Sequence, residues 1–192
     1  YNLNFSYKNK NIFKNLNFEI KKNDFILITG PSGSGKTTLI DLILGLLKPD
    51  QAQLTLNDKI IDSSSYSLNN LVYYLPQKNF MINDTIEKNI ILTTKNFDKK
   101  KLDEAIELSG LKNFFTMLES KDPRKIGENG ALISGGESQR IAFARSIYAD
   151  REVLILDEFT SALDDTNEKL ILDSLVKLNK NKTIIVVSHN ME

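Results

Sequence analysis

Phe25-Ile-Leu-Ile-Thr29 is a short, continuously apolar run, and it leads straight into Gly30-Pro-Ser-Gly-Ser-Gly-Lys-Thr37. The run suits a strand buried on both faces. From Lys36 to about Leu47 the apolar residues take helical spacing, with Pro49 as the expected stop. The octapeptide fits G-x-x-x-x-G-K-[ST] throughout and sits between strand and helix, where that pattern has a mechanism. Its glycines let backbone N–H groups face a phosphate chain, and the helix N-terminus adds positive potential. Gly30, Pro31, Ser32, Gly33, Ser34 and Gly35 are then the cradle. Lys36 reaches the β- and γ-phosphates, the Thr37 hydroxyl binds Mg²⁺, and Thr38 donates to the α-phosphate.

Around this unit the pattern predicts an α/β fold. Leu3 and Phe5 alternate, as do Leu16, Phe18 and Ile20, and Leu54 with Leu56. Val72–Leu75, Glu152–Leu156 and Thr183–Val187 read as buried strands. Helices are expected at Thr85–Leu92, Lys101–Ser109, Leu111–Leu118, Ser134–Tyr148 and Asp165–Leu178. Buried strands alternating with helices imply a mainly parallel sheet covered on both faces, with a helical insertion at roughly 80–150. The chain starts and stops inside strand-like segments, so it reads as a piece of a longer polypeptide.

Two further segments carry chemistry. Val153-Leu-Ile-Leu-Asp-Glu158 is a buried strand ending in two carboxylates, and ligands of parallel sheets bind at the carboxyl ends of strands. Asp157 is expected to hold Mg²⁺ through water, and Glu158 to face the attacking water. Ser134-Gly-Gly-Glu137 opens a helix with the S-x-x-E capping box. Two glycines in a first turn cost helix propensity, which makes sense where something approaches that backbone closely. Ser134, Gly135, Gly136 and Glu137 thus read as a second phosphate-binding surface.

Composition narrows the classes. With 25 basic and 25 acidic residues, the chain lacks the bulk positive charge that drives nucleic-acid binding, and no nucleic-acid partner is expected. The absence of cysteine excludes thiolate catalysis and Cys-ligated zinc, and a single His excludes multi-His metal sites. No basic leader or membrane-length apolar run is present. A soluble intracellular domain is the expectation.

These motifs, in this order, resemble the ATP-binding cassette (ABC) ATPases over essentially the whole chain. Gln77, after Val72-Tyr-Tyr-Leu-Pro76, matches the Q-loop glutamine. Ile133-Ser-Gly-Gly-Glu137 matches the signature usually written LSGGQ, Ser161-Ala-Leu-Asp164 the D-loop, and Val186-Val-Ser-His189 the switch-histidine loop. Tyr7 matches the aromatic that stacks on adenine. The resemblance implies a RecA-like P-loop NTPase core with an antiparallel β subdomain and an inserted α-helical signature subdomain. It implies a single cassette over residues 1–192, preceded by a transmembrane domain, at the cytoplasmic face of the cell membrane. It implies ATP and Mg²⁺ as ligands, with Thr37, Gln77 and Asp157 around the metal and Lys36, Gln77, Glu158 and His189 as catalytic residues. It also implies a second cassette, stacked head to tail, so that Ser134–Glu137 caps the partner's ATP.

Ile126-Gly-Glu-Asn-Gly-Ala-Leu-Ile-Ser134 resembles the VGExGxxLS segment of exporter cassettes, and Thr85-Ile-Glu-Lys-Asn-Ile90 resembles their TIxENI stretch. In the exporter branch the acidic loop around Glu128 touches the membrane domain. The chain departs from the family at Ile133, at Glu137 in place of Gln, at Pro76 before the glutamine, and at Phe159, where a small residue is common. A carboxylate at 137 near a partner's γ-phosphate would oppose closure, so Glu137 is expected to turn back onto its own helix or to lie at the rim. The alternative is a non-transport ABC ATPase. Repair types insert a long coiled coil, for which the 98-residue step from Lys36 to Ser134 leaves no room. Translation types carry two cassettes, a question for sequence beyond Glu192. A guanine-nucleotide switch or small-molecule kinase lacks a signature helix and switch His. A binding module with a dead site sits poorly with Lys36, Asp157, Glu158 and His189 together.

Overall fold

The computed structural model describes all residues except 9, 63–65, 69, 94–96, 113, 115–124 and 189–192. The expected helix at Leu111–Leu118 falls largely outside the described residues, as does His189.

Four strands form the central sheet: β3 (Phe25–Thr29), β6 (Val72–Leu75), β7 (Val153–Asp157) and β8 (Thr183–Ser188). Their order is β3-β8-β7-β6, and every pair is parallel. The register is tight: Thr29 lies opposite Ser188, Asp157 opposite Val187, and Leu75 opposite Leu156. The carboxyl ends of all four strands therefore finish nearly level. The segments that follow β3, β6 and β7 leave the sheet along one edge.

Each face of the sheet is covered. Ile155, Ile185, Val187 and Val72 pack with Ile40 of α1 (Lys36–Ile43). Leu75, Leu154, Leu156 and Ile184 pack on the opposite face with Ile141, Phe143 and Ile147 of α4 (Gly135–Ala149) and with Ile171 and Leu175 of α5 (Asp165–Asn179). Fully burying one such side chain stabilises by about 1.5–3 kcal/mol. α2 (Ile86–Ile91) and α3 (Lys99–Leu108) pack on α4. Thr85 caps α2, and Asp98 caps α3, which starts two residues before the expected position. Asp150, just past α4, accepts bonds from Lys101 of α3 at 2.9 Å and from Lys182 at 2.6 Å, joining the helical layer to the start of β8.

Inside that layer lies a buried cation. Arg145 of α4 donates through Nε to the Asn89 carbonyl at 2.7 Å and through Nη1 to the Phe80 carbonyl at 3.0 Å. Asn89, fully buried, bonds in turn to the backbone of Ile82 and Thr85. The stretch following Gln77 is thus tied to the signature helix.

Three sequence expectations are corrected. The strand placed at Leu16–Ile20 lies earlier: β2 is Lys10–Leu16, antiparallel to β1 (Leu3–Tyr7). Leu16 pairs with Leu3, where β1 begins, so Phe18 and Ile20 have no strand opposite them. Helix α1 ends at Ile43 and not near Leu47. Gly45, with φ of 74°, donates to Leu42, and Leu46 donates back to Asp41, closing the helix before Pro49 is reached. Finally, β4 (Leu54–Leu56) has a partner that the alternation missed, β5 (Lys59–Ile61), reached through Asn57 and Asp58, both at positive φ. That two-residue turn matches the twist of a tight hairpin.

Candidate active site

The phosphate loop leaves β3 and turns into α1 at Gly35, whose φ is 98°. A Cβ there would sit 2.9 Å from Ile12 and 3.1 Å from Phe13, so the β1–β2 hairpin presses on the loop from outside. Lys36 is 92% buried and folds over its own loop, donating to the carbonyls of Gly30 at 2.7 Å and Pro31 at 3.1 Å. Ser32, Gly33, Ser34 and Thr37 remain exposed, and Thr38 is half-buried. Tyr7 is exposed at the end of β1, edge-on to Phe5 with ring centroids 4.9 Å apart.

Two carboxylates follow from β7. Asp157 is buried, and the Tyr74 hydroxyl on neighbouring β6 donates to its Oδ2 at 3.0 Å. Burial first, and then the Asp157 charge, pushes the Tyr74 hydroxyl far above its usual range. Burial and then the Asp157 charge also raise the carboxyl of Asp41, on α1. Glu158 occupies left-handed backbone, φ 48°, and its N–H donates to Val187 O at 3.0 Å. Gln77 Nε2 donates to Glu158 Oε2 at 2.6 Å. Phe159 fills the core against Phe143, ring centroids 5.4 Å apart, which explains a large residue at that position.

These groups fit Mg²⁺. The Thr37 hydroxyl, the Gln77 amide oxygen and the Asp157 carboxylate are hard oxygen donors. The Asp157 charge works against ionising Asp41, a repulsion that a divalent cation would relieve. Among the described residues no cluster of three or more His, Cys, Asp or Glu could hold a metal alone. A cation here would take its remaining ligands from water and phosphate, as Mg²⁺ does.

The signature helix start has its own geometry. The Glu137 side chain turns back, as expected: Oε2 accepts from Ser134 N–H at 2.7 Å and from Ser134 Oγ at 2.8 Å, while Glu137 N–H donates to Ser134 Oγ at 3.2 Å. What approaches the glycines within this chain is the loop after Phe159. A Cβ on Gly136 would stand 3.1 Å from the Ala162 carbonyl, and one on Gly135 would touch the Ala162 side chain. Asp164 caps α5 by accepting from Asn167 N–H at 2.9 Å and Asn167 Nδ2 at 2.7 Å. Arg140 of α4 donates to Asn167 Oδ1 at 3.1 Å and to Gly110 O at 2.9 Å. Glu128 opens a single 3₁₀ turn, Glu128–Gly130, and Leu132 beyond it is 75% exposed.

The structure brings Gln77, Asp157 and Glu158 together along the edge where the phosphate loop also leaves the sheet. Sequence reasoning missed Tyr74, Asp41, Arg140 and Asn167. Tyr74 had a usable signal: on a strand beside β7, alternation puts Tyr73 and Tyr74 on opposite faces.

Comparison with known proteins bears on the family and the fold. A family model described as ABC transporter matches residues 13–161. The ATP-dependent lipid A-core flippase of Escherichia coli is 34% identical over 194 residues, covering 99% of this chain and 33% of the flippase. An ATP-dependent permease of Candida albicans is 34% identical over 196 residues, covering 98% of this chain and 29% of the permease. The solved structure of a bacterial Atm1-family ABC exporter with ATP bound superimposes with a TM-score of 0.88 at 29% identity, over 99% of this chain and 34% of that one. The chain spans about a third of the length of the curated relatives it matches.

Proposed function

Because this chain belongs to the ABC transporter family, we propose that it is the Mg²⁺-dependent ATP-hydrolysing domain of an exporter. It works with a second cassette and drives a transmembrane domain from the cytoplasmic face of the membrane. Residues 1–192 form one cassette, with the helical layer between about 80 and 150 as its signature subdomain. The observation that carries the reading is the Gln77–Glu158 bond beside Asp157 on the sheet edge that the phosphate loop shares. The resemblance of residues 126–134 to exporter cassettes, and the similarity to a lipid A-core flippase and to an Atm1-family exporter, favour export over the non-transport alternative.

The roles are those that the family resemblance implies for these residues. The backbone of Gly30 to Gly35 and the Lys36 ammonium bind the phosphates, with the hydroxyls of Thr37 and Thr38 beside them. Mg²⁺, when bound through Thr37, Gln77 and Asp157, would neutralise charge on the phosphate oxygens. Glu158 orients and polarises the attacking water, and His189 assists at the γ-phosphate. Tyr7 stacks on adenine. Ser134, Gly135 and Gly136 face the ATP held by the partner cassette, with Glu137 turned to its own helix. Positioned groups of this kind contribute about 10²–10⁴-fold to rate. Phosphate release from ATP, measured with and without Mg²⁺, tests the reading. Turnover that needs Mg²⁺ and is lost in Glu158→Gln is expected; turnover indifferent to both would overturn it.

A further inference from the structure

The residue facing Asp157 across the strand pair has no assigned part in the reaction. Tyr74 lies on β6, opposite Ile155 of β7. Its ring packs in the cluster between the sheet and α1, with Ile40, Val72 and Ile155. Asp157 follows Ile155 by two positions on β7, so it emerges on that same face. The Tyr74 hydroxyl closes the remaining gap and donates to Asp157 Oδ2 at 3.0 Å. Tyr73 beside it packs on the opposite face, against the cluster around α4.

We infer that Tyr74 is a positioning residue for the metal: its hydroxyl fixes the rotation of the Asp157 carboxylate and so sets how that carboxylate meets a cation-bound water. A carboxylate at a strand end turns about its last side-chain bond unless one oxygen is held. A neutral donor holds it without cancelling the charge the cation needs, which a Lys or Arg in the same place would do. The tyrosine's rigidity adds to this, since ring and hydroxyl are placed together by packing. Groups that orient metal-binding side chains typically change metal affinity by about 10–100-fold when removed. The inference rests on the reading of this edge as an Mg·ATP site.

The test uses Mn²⁺ as a spectroscopic substitute for Mg²⁺ in the intact protein carrying Glu158→Gln, so that nucleotide persists. Mn²⁺ affinity in the presence of ATP is read by electron paramagnetic resonance, and ATP affinity in EDTA is read separately. Tyr74→Phe keeps the ring and removes only the hydroxyl. The expected result is Mn²⁺ affinity weakened about tenfold, with metal-free ATP affinity and melting temperature unchanged. Tyr73→Phe, altering the other face, leaves Mn²⁺ affinity where it was. Mn²⁺ affinity of Tyr74→Phe within about twofold of its parent overturns the role of Tyr74 alone. So does an equal loss in Tyr73→Phe, or a parallel loss of metal-free ATP binding. If the parent itself binds no Mn²⁺ with ATP, the reading of the site falls and the inference with it.

Discussion

Gln77 and Glu158 lie 81 positions apart in the chain, yet Gln77 Nε2 donates to Glu158 Oε2 at 2.6 Å. The parallel pairing of β6 with β7 makes this possible, because Leu75 and Leu156 are opposite each other and the next turns leave the sheet side by side. A bond from an amide to a carboxylate is charge-assisted and holds the acid in one orientation. Glu158→Gln keeps the size of the side chain and removes the charge. Turnover is expected to fall by at least about 100-fold, with ATP binding retained and an ATP-dependent dimer accumulating. Steady-state phosphate release equal to the parent's would remove Glu158 from the chemistry.

Glu137 presents a balance of two effects. Its carboxylate bonds to Ser134 N–H and to the Ser134 hydroxyl, and such caps are worth about 1 kcal/mol. Against this, a carboxylate about 6 Å from a partner's γ-phosphate repels it by roughly 3 kcal/mol at an effective dielectric of about 20. Glutamine keeps an oxygen for the cap and loses the charge. Glu137→Gln is therefore expected to tighten ATP-driven dimerisation, on the order of tenfold, by sedimentation in the Glu158→Gln background. A weaker dimer would mean that the carboxylate makes a contact the dimer needs.

Asp150 sets a pH dependence. Its bonds from Lys182 and Lys101 hold its carboxyl below the ordinary value of 3.8. The folded state thus favours the ionised form. The resulting stability is present above the unfolded value and is lost as pH falls through the folded one. The side chain is half exposed, so the contribution stays within about 1 kcal/mol. Asp150→Asn is expected to lower the melting temperature at neutral pH by about 2–4 °C, with the difference shrinking as pH falls below 3.8. A difference that stays constant into strong acid would place the effect elsewhere.

Arg145 tests the tie between α4 and the stretch after Gln77. Removing the guanidinium strips partners from two carbonyls, those of Asn89 and Phe80. Arg145→Met keeps much of the volume and is expected to cost about 3 kcal/mol, seen as an earlier midpoint in urea unfolding. A shift under about 0.5 kcal/mol, the usual range for surface substitutions, would show that the carbonyls find other donors.

The parts of the fold that could be read from sequence are those with a local cause. Thr85 and Ser134 cap helices because their own side chains reach back into the first turn. β7 announces itself by an apolar run that ends in acid. The errors arose where the cause was distant or a local cue was missed. β2 stops at Leu16 because β1 has no residue paired beyond Leu3, and no local pattern carries that information. The end of α1 was placed at a proline when a glycine had already closed it. At the site, residue types and spacing pointed to Lys36, Asp157 and Glu158, and the family resemblance to Gln77. Which atoms of those residues meet could not be read, because it depends on strand order β3-β8-β7-β6. Tyr74 was overlooked for the same reason, since its partner lies on another strand.

The left-handed backbone of Glu158 has a bearing on how this protein can be improved or worn down. Holding a bulky, non-glycine residue at φ 48° costs on the order of 1–3 kcal/mol, and glycine in its place would relieve most of it. The position proposed to face the attacking water is therefore also one where the chain is pulled out of shape. A screen that rewards heat resistance alone would drift toward glycine at 158 and collect sturdy, inert molecules, the familiar conflict between robustness and activity. Only a selection that demands turnover at every round can hold the glutamate in place.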